Sequence, residues 1–276
     1  MYCPRFTERE REFYDRIYAA HLELPDHALV VNRRVMLDQM DNPASTAYER
    51  RRLYRAALER LLAEPLHGRN ILDYGCGPGD WGVLLATEGA RVTLLDLSPA
   101  AIELALRRAR ASGVADRVRG LARDASELSC FADGEFDLVF ACASLHHTLK
   151  YPSAFAELVR VIKPGGKLVL AETLGNNPLL NAARRLRARL AREPVEQGEG
   201  IVLSDAELDL LRRHFRQVDF TPMNLLAMAK RLFRGRFTSP WVRRLLEGLE
   251  RIDARLLAWR PQLGRYCGEV VVTAVK

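Results

Sequence analysis

Asn70-Ile71-Leu72-Asp73-Tyr74-Gly75-Cys76-Gly77-Pro78-Gly79-Asp80-Trp81-Gly82 runs from an apolar pair into three glycines at alternate positions. Ile71 and Leu72 read as the end of a buried strand. Gly75, Gly77 and Gly79 then make a turn without Cβ atoms, where a ligand can lie against the backbone. Val83 to Ala86 continues as a helix. Strand, glycine turn and helix together form a nucleotide-type cradle at the carboxyl end of a strand.

The same residues satisfy a second pattern. Gly77-Pro78-Gly79-Asp80-Trp81-Gly82 fits the G-x-G-x-x-G dinucleotide fingerprint, and Asp96 closes the next apolar run, Val92 to Leu95, where a ribose-binding carboxylate is expected. Asp73 argues against a dinucleotide, because a carboxylate just before the first glycine repels a pyrophosphate. It suits S-adenosylmethionine, which carries an ammonium and a sulfonium and no phosphate.

The rest of the chain bounds the setting. Its 276 residues are enough to bury one large α/β core and do not by themselves require a second domain. A formal charge of +7 permits contact with nucleic acid or an anionic membrane without establishing either, since a solvated basic face is the commoner meaning. Cys3, Cys76, Cys130, Cys142 and Cys267 are scattered, with no C-x-x-C pair, which argues for free thiols in a reducing compartment and against a metal site. The charge-studded N-terminus (Arg5, Glu8, Arg9, Glu10) does not read as a secretory signal, and no apolar run approaches the roughly 20 residues needed to span a bilayer. The expectation is a cytoplasmic protein.

From about Asn70 to Thr173, strand and helix signals alternate. Ile71–Tyr74, Val92–Asp96, Val118–Leu121, Phe136–Cys142 and Lys167–Thr173 read as near-continuous apolar strands, with helices over Gly79–Glu88, Pro99–Ala111 and Ser153–Val161. Ser98 before Pro99 supplies an N-cap and a first-turn proline. Lys163-Pro164-Gly165-Gly166 reads as a turn that ends the third helix and launches a strand. Such alternation predicts a mostly parallel sheet covered by helices on both faces, with ligands outside the carboxyl ends of the strands.

The ordered series Leu72-Asp73-x-Gly75-Cys76-Gly77-x-Gly79, Asp96, Arg123-Asp124-Ala125, Phe136-Asp137-Leu138-Val139, Leu145-His146-His147 and Leu158-x-Arg160-Val161-x-Lys163-Pro164-Gly165-Gly166 resembles class I S-adenosylmethionine-dependent methyltransferases. It is most similar to the small-molecule branch that includes the quinone-biosynthesis methyltransferases, over roughly Leu58 to Thr173. The resemblance implies a Rossmann-like α/β fold with a seven-stranded, mostly parallel sheet, helices on both faces and an α-helical cap. It also implies S-adenosylmethionine as cofactor and S-adenosylhomocysteine as product. On it, Asp73, Gly75, Cys76, Gly77 and Gly79 hold the methionine end of the cofactor, Asp96 takes the ribose hydroxyls, and Leu97 packs beside the adenine. Asp124 and Ala125 meet the adenine amino group and ring, and Ala141 and Cys142 lie under the methionine portion. Phe13-Tyr14-Asp15-x-Ile17-Tyr18 resembles the family's N-terminal lid, with Tyr14 and Tyr18 as the closing aromatics. A plain core stripe has the same spacing.

Methyl transfer asks for alignment of an acceptor with an already electrophilic methyl group and for exclusion of water; a base is needed only for a protonated acceptor. His146 and His147, after the fourth strand, are the candidates, with loop shaping as the alternative for either. Glu172, Asn176 and Asn177, after the fifth strand, are candidates for acceptor contacts. Asn177-Pro178 is equally readable as a turn.

The organisation expected is an N-terminal helical lid over residues 1–66 and a methyltransferase core over 67–276, with helical cap insertions near 176–214 and 224–264. Roughly 45 residues separate the sixth strand (Val218–Phe220) from the seventh (Glu269–Val275), longer than an ordinary hairpin connection. Within them Trp241, Leu245, Leu249, Ile252 and Leu256 share one helical face, expected to cover a hydrophobic acceptor pocket. A homodimer interface and a peripheral membrane or lipid contact through 228–260 are the other roles open to it. The acceptor expected is a small molecule (a secondary metabolite, sugar or lipid-like precursor) methylated on oxygen, with nitrogen and carbon open as the methylated atom. No separate RNA-binding module or Asn-Pro-Pro-Tyr type tetrapeptide is present, so an RNA methyltransferase is the lesser reading. A protein that binds the cofactor or its product without methyl transfer is the alternative from another class.

Overall fold

The computed structural model describes residues 4–149, 151, 153–191 and 203–276. Four helices open the chain: α1 (Pro4–Ala19), α2 (Asp26–Leu29), α3 (Arg33–Asp41) and α4 (Arg51–Leu61), the last entered through a 3-10 turn over Thr46–Arg50. The core then alternates β1 (Asn70–Tyr74), α5 (Asp80–Thr87), β2 (Arg91–Asp96), α6 (Pro99–Ala111), β3 (Val118–Ala122), β4 (Phe136–Cys142), α7 (Leu145–Thr148), α8 (Ala154–Val161) and β5 (Ile162–Thr173). It ends with α9 (Pro178–Ala191), α10 (Asp205–His214), β6 (Gln217–Met223), α11 (Pro240–Trp259) and β7 (Glu269–Val275).

The strands form one sheet in the order β3-β2-β1-β4-β5-β7-β6. β1 to β5 pair in parallel, and β7 runs antiparallel between β5 and β6. The order reverses between β1 and β4, so a crevice opens there at the carboxyl ends of the strands, as open α/β sheets require. The expected strands are present, and the apolar runs of the central strands β1, β4 and β5 are explained by burial on both faces, while the edge strand β3 is only half-buried. Ile71, Leu72, Val139, Phe140, Val169 and Leu170 are all fully buried. Ser98 caps α6 as expected, its hydroxyl accepting from the Ala101 amide.

Two expectations need correction. Lys163-Pro164-Gly165-Gly166 does not stand before the fifth strand but lies inside β5, which begins at Ile162 and pairs with β4 across a register shift between Phe136 and Leu138. That irregularity absorbs the proline and the positive φ of Gly165 without ending the strand. The second concerns α11. Its buried face is Val242, Leu246 and Asp253, which pack over Tyr48 and Phe237 or turn inward, while Trp241, Leu245 and Ile252 point to solvent. Of the predicted apolar row, Leu249 packs on this cluster and Leu256 is half-buried, while the rest of the row lies to the solvent side of the face that packs. Within the insertion expected near 176–214, residues 192–202 lie outside the described residues.

Candidate active site

A cavity of about 470 Å³ opens over the β1–β4 switch point, walled by the glycine turn, the ends of β2 and β4, and the N-terminal helices. Backbone conformation explains the glycines. Gly75, Gly77 and Gly79 all take positive φ (66°, 51° and 83°). A Cβ on Gly77 would lie 2.9 Å from the Tyr18 hydroxyl, and one on Gly75 only 2.4 Å from Ser144 Cβ. The turn is thus closed to side chains on both flanks, which leaves its backbone bare toward the cavity.

Asp73 stands beneath that turn. It lines the cavity yet is almost fully buried, and its Oδ2 has no hydrogen-bond partner. Burial pushes its carboxyl up to about 7, with the nearby Asp96 and Asp80 adding to the rise and the Gly82 amide opposing it. Its Oδ2 lies against α5, where a Cβ on Gly82 would come within 2.8 Å, and the Gly82 amide is the one donor that acts on the carboxylate, so the group borders the cavity short of partners for a full charge. Asp96, at the end of β2, also faces the cavity. Its Oδ2 accepts from the Gly77 amide at 2.8 Å and its Oδ1 from the Ser98 amide at 2.9 Å, while burial raises its pKa. These bonds aim the carboxylate and still leave lone pairs for a diol.

Asp124 and Ala125 lie on the wall next to Leu97. Asp124 also accepts from the Ser126 amide at 2.8 Å, so it shapes its own turn as well as facing the cavity. Cys76 and Cys142 line the wall, and burial pushes both thiols up, Cys142 to about 12, which makes them inert.

Helix α1 closes one side. Tyr14 and Tyr18 line the cavity and stack with centroids 6.1 Å apart. Burial raises both phenols, Tyr14 to about 12, so they are neutral hydroxyls at physiological pH. The helix is anchored by Asp15, whose Oδ1 accepts from Ser98 Oγ at 2.5 Å and from the Ala100 amide at 3.2 Å. It is also anchored by Glu10, whose Oε1 lies 2.7 Å from His147 Nδ1. The Tyr14 hydroxyl reaches His147 Nε2 at 3.5 Å.

The two histidines are placed differently. His147 lines the cavity. His146 turns away, its Nδ1 2.9 Å from Glu172 Oε2. Glu172 is not at the acceptor position but fully buried beneath the loop, where its Oε1 also accepts from the Ser144 and Leu145 amides at 3.0 Å each. Burial works to raise its pKa, but His146, Arg50 and the Ser144 amide together hold it below the usual carboxylate range. This clamp holds Ala143 at φ 53°, a left-handed conformation that a non-glycine residue adopts only under constraint.

Four other expected contacts also lie off the cavity wall. Ala141 is sealed in the sheet. Gly79 packs against α6, where a Cβ would meet Ala105 Cβ at 2.4 Å. Asn176 donates to Asp205, and Asn177 caps α9 and donates to the Tyr266 carbonyl, as the turn reading of Asn177-Pro178 allows. In their place the wall takes Met36, Gln39, Met40, Thr46, Ala47, Tyr54 and Tyr151, none of them among the expected contacts. The i, i+4 pair Met36 and Met40 on α3 was the available signal, but it reads equally well as core.

Fold and site together define a cradle for a nucleoside with a cationic tail, of the class I S-adenosylmethionine-dependent methyltransferase type. Residues 71–166 match the family described as methyltransferase domain. The chain is 34% identical over 142 residues to the demethylmenaquinone methyltransferase of Clavibacter sepedonicus, covering 48% of this chain and 56% of that one. It is 35% identical over 156 residues to the 27-O-demethylrifamycin SV methyltransferase of Amycolatopsis mediterranei, covering 56% and 55%. It thus spans about half the length of the curated relatives it matches. Among solved structures, geranyl diphosphate C-methyltransferase from Streptomyces coelicolor, in complex with S-adenosylhomocysteine, superposes with a TM-score of 0.60 at 18% identity over 99% of this chain and 98% of that one. The cyclase SpnF superposes with a TM-score of 0.55 at 23% identity over 82% and 80%. At these identities the likeness is one of fold.

Proposed function

We propose that the protein transfers a methyl group from S-adenosylmethionine to a hydroxyl of a small, largely apolar acceptor. The observation that carries the reading is the unpartnered Asp73 oxygen beneath a glycine turn stripped of side chains, with Asp96 at the other end of the same cavity. The residues present fit the cofactor. Asp73 would meet the ammonium of its methionine end, the backbone of Gly75 and Gly77 would lie against it, Asp96 would accept from the ribose, and Asp124 from the adenine amine. When bound, the cofactor supplies an electrophilic methyl on its sulfonium.

The acceptor compartment is formed by Met36, Met40, Ala47 and Tyr54, with Gln39 and Thr46 as the polar groups, which supports an apolar acceptor with one or two hydrogen-bonding atoms. His147 is the base of this reading. Glu10 accepts from Nδ1–H, which makes Nε2 the basic nitrogen; the Tyr14 hydroxyl donates to it across a long 3.5 Å contact, which the acceptor hydroxyl would displace to give up its proton there. His146, bound to Glu172, is a positioning residue. The quinone- and rifamycin-modifying relatives support small organic acceptors in general.

Calorimetry should show S-adenosylmethionine and S-adenosylhomocysteine binding with NAD inert, and methyl release should follow with a hydroxylated apolar acceptor from a panel that also holds amines, sugars and RNA. NAD binding would overturn the cofactor assignment. Cofactor binding without turnover on any acceptor would favour the non-transferring reading. His147→Gln should abolish turnover with cofactor affinity intact; an unchanged rate would remove the base and shift the reading to carbon or amine acceptors that need none.

A further inference from the structure

Helix α11 has an outward face that no other described residue buries. A 100° step per residue puts Trp241, Leu245, Ile252 and Trp259 within an arc of about 40°, and all four are exposed, Trp259 by 70% and Trp241 by 57%. The row is about 27 Å long at 1.5 Å per residue. It is extended at its start by Leu232, 81% exposed, whose neighbour Phe233 sets its ring edge-on to Trp241 at 5.6 Å. Beside it, in an arc of similar width, stand Arg244, Arg251 and Arg255, all exposed. At the far end the Arg260 guanidinium sits over the Trp259 ring at 4.6 Å.

From sequence, three acids argue against an anionic partner for this helix, and the structure takes two of them away. Asp253 points inward, fully buried, and accepts from the Leu225, Leu226 and Ala227 amides. Glu250 is tied to Arg51 at 2.6 Å. Glu247 alone remains exposed, on the opposite side of the arginine arc from the apolar row. What the helix offers outward is therefore two tryptophans, two aliphatic side chains and a flanking strip of arginine.

We infer that this face docks on an anionic lipid bilayer, with Trp241, Leu245, Ile252 and Trp259 set into the headgroup boundary and Arg244, Arg251 and Arg255 on lipid phosphates. Charge complementarity selects the occupant. Two copies meeting through this row would bring the arginine strips together, whereas anionic headgroups neutralise them. Tryptophan, with an apolar ring and one N–H, suits a boundary that is apolar on one side and wet on the other. No helix among the described residues is long and apolar enough to cross a membrane, so the contact lies along the surface. The inner face of α11 packs on Tyr48 of the 3-10 turn whose Thr46 and Ala47 wall the acceptor compartment, which puts the bilayer one packed layer from that compartment.

The test is flotation of the whole protein with vesicles of phosphatidylcholine alone and with phosphatidylglycerol added. Binding should require the anionic lipid and weaken as salt rises. Arg244→Gln with Arg251→Gln and Arg255→Gln should lower the partition by about fivefold per arginine, on the order of a hundredfold together. Brominated acyl chains should quench Trp241 and Trp259 and leave the buried Trp81 emission, which a Trp241→Phe, Trp259→Phe variant isolates. Calorimetry of the cofactor checks that each variant is folded. Absence of binding to anionic vesicles, binding unaffected by the arginine changes, or a dimer in solution that Trp241→Ser dissociates would each overturn the inference.

Discussion

Two buried carboxylates flank the end of β4, and their environments are opposites. Asp73, on β1, has an oxygen with no partner and a pKa raised to about 7. Glu172, on β5, is equally buried but accepts from two amides and a histidine, and its pKa is lowered. Burial penalises both charges alike; the difference lies in what each carboxylate meets. Glu172 finds its partners within the chain and spends them on holding a loop. Asp73 has the Gly82 amide alone, too little to offset its burial, and it borders the cavity. A buried acid that the fold leaves short of donors marks a binding position, whereas a fully satisfied one marks scaffolding.

The largest test of this contrast is Glu172→Ala. Removing the clamp leaves His146 and two amides facing an empty space, and urea unfolding should show a loss of about 3–5 kcal/mol. Glu172→Gln, which keeps one carbonyl for the amides, should lose distinctly less, and equal losses would break the contrast. Next in size, Asp73→Asn should weaken S-adenosylmethionine binding by about 1.5–3 kcal/mol in calorimetry while leaving the fold intact. Gly77→Ala should destabilise by about 1–2 kcal/mol, since φ there is 51° and the new methyl would press on the Tyr18 hydroxyl.

The smallest effect is a pair of opposed pH slopes. With its folded pKa above its unfolded value, Asp73 contributes stability that is complete below pH 3.8 and lost as pH rises through about 7. With its folded pKa depressed, Glu172 contributes stability present above pH 4.5 and lost as pH falls through the folded value. Melting temperatures across pH should therefore fall less steeply toward neutral pH in Asp73→Asn and less steeply toward acid in Glu172→Gln. Parallel profiles for the two variants would show that the carboxylates do not differ as described.

The sheet and the glycine-turn end of the cavity were legible because each depends on local spacing. Alternate glycines, Asp96 at a strand end and Ser98-Pro99 before a helix are read within a few residues of one another. The acceptor half was not, because its walls come from residues far apart in the chain. Met36, Thr46 and Tyr54 meet Ser144 and Tyr151 only through tertiary packing. His146 and His147 are neighbours in sequence, yet one faces Glu172 and the other the cavity, since adjacent positions on a helical turn point in different directions. The α11 helix misled for a related reason. Periodicity ranks its most apolar arc, but Asp253 turned inward to cap three amides and took the packing face with it.

Residues 224–268 leave and rejoin the sheet at a single point. Met223 pairs with Glu269, and the Gly268 amide donates to the Asn224 carbonyl at 2.9 Å. A long excursion closed at its root by a two-stranded ladder is a cassette. Its length can change at little entropic cost, because loop closure depends only weakly on length once the ends are pinned, while Asn224 and Lys230 tie its root to Glu269 of β7. Variation there would reshape the outward face of α11 while the cavity over the β1–β4 switch point keeps its glycine turn.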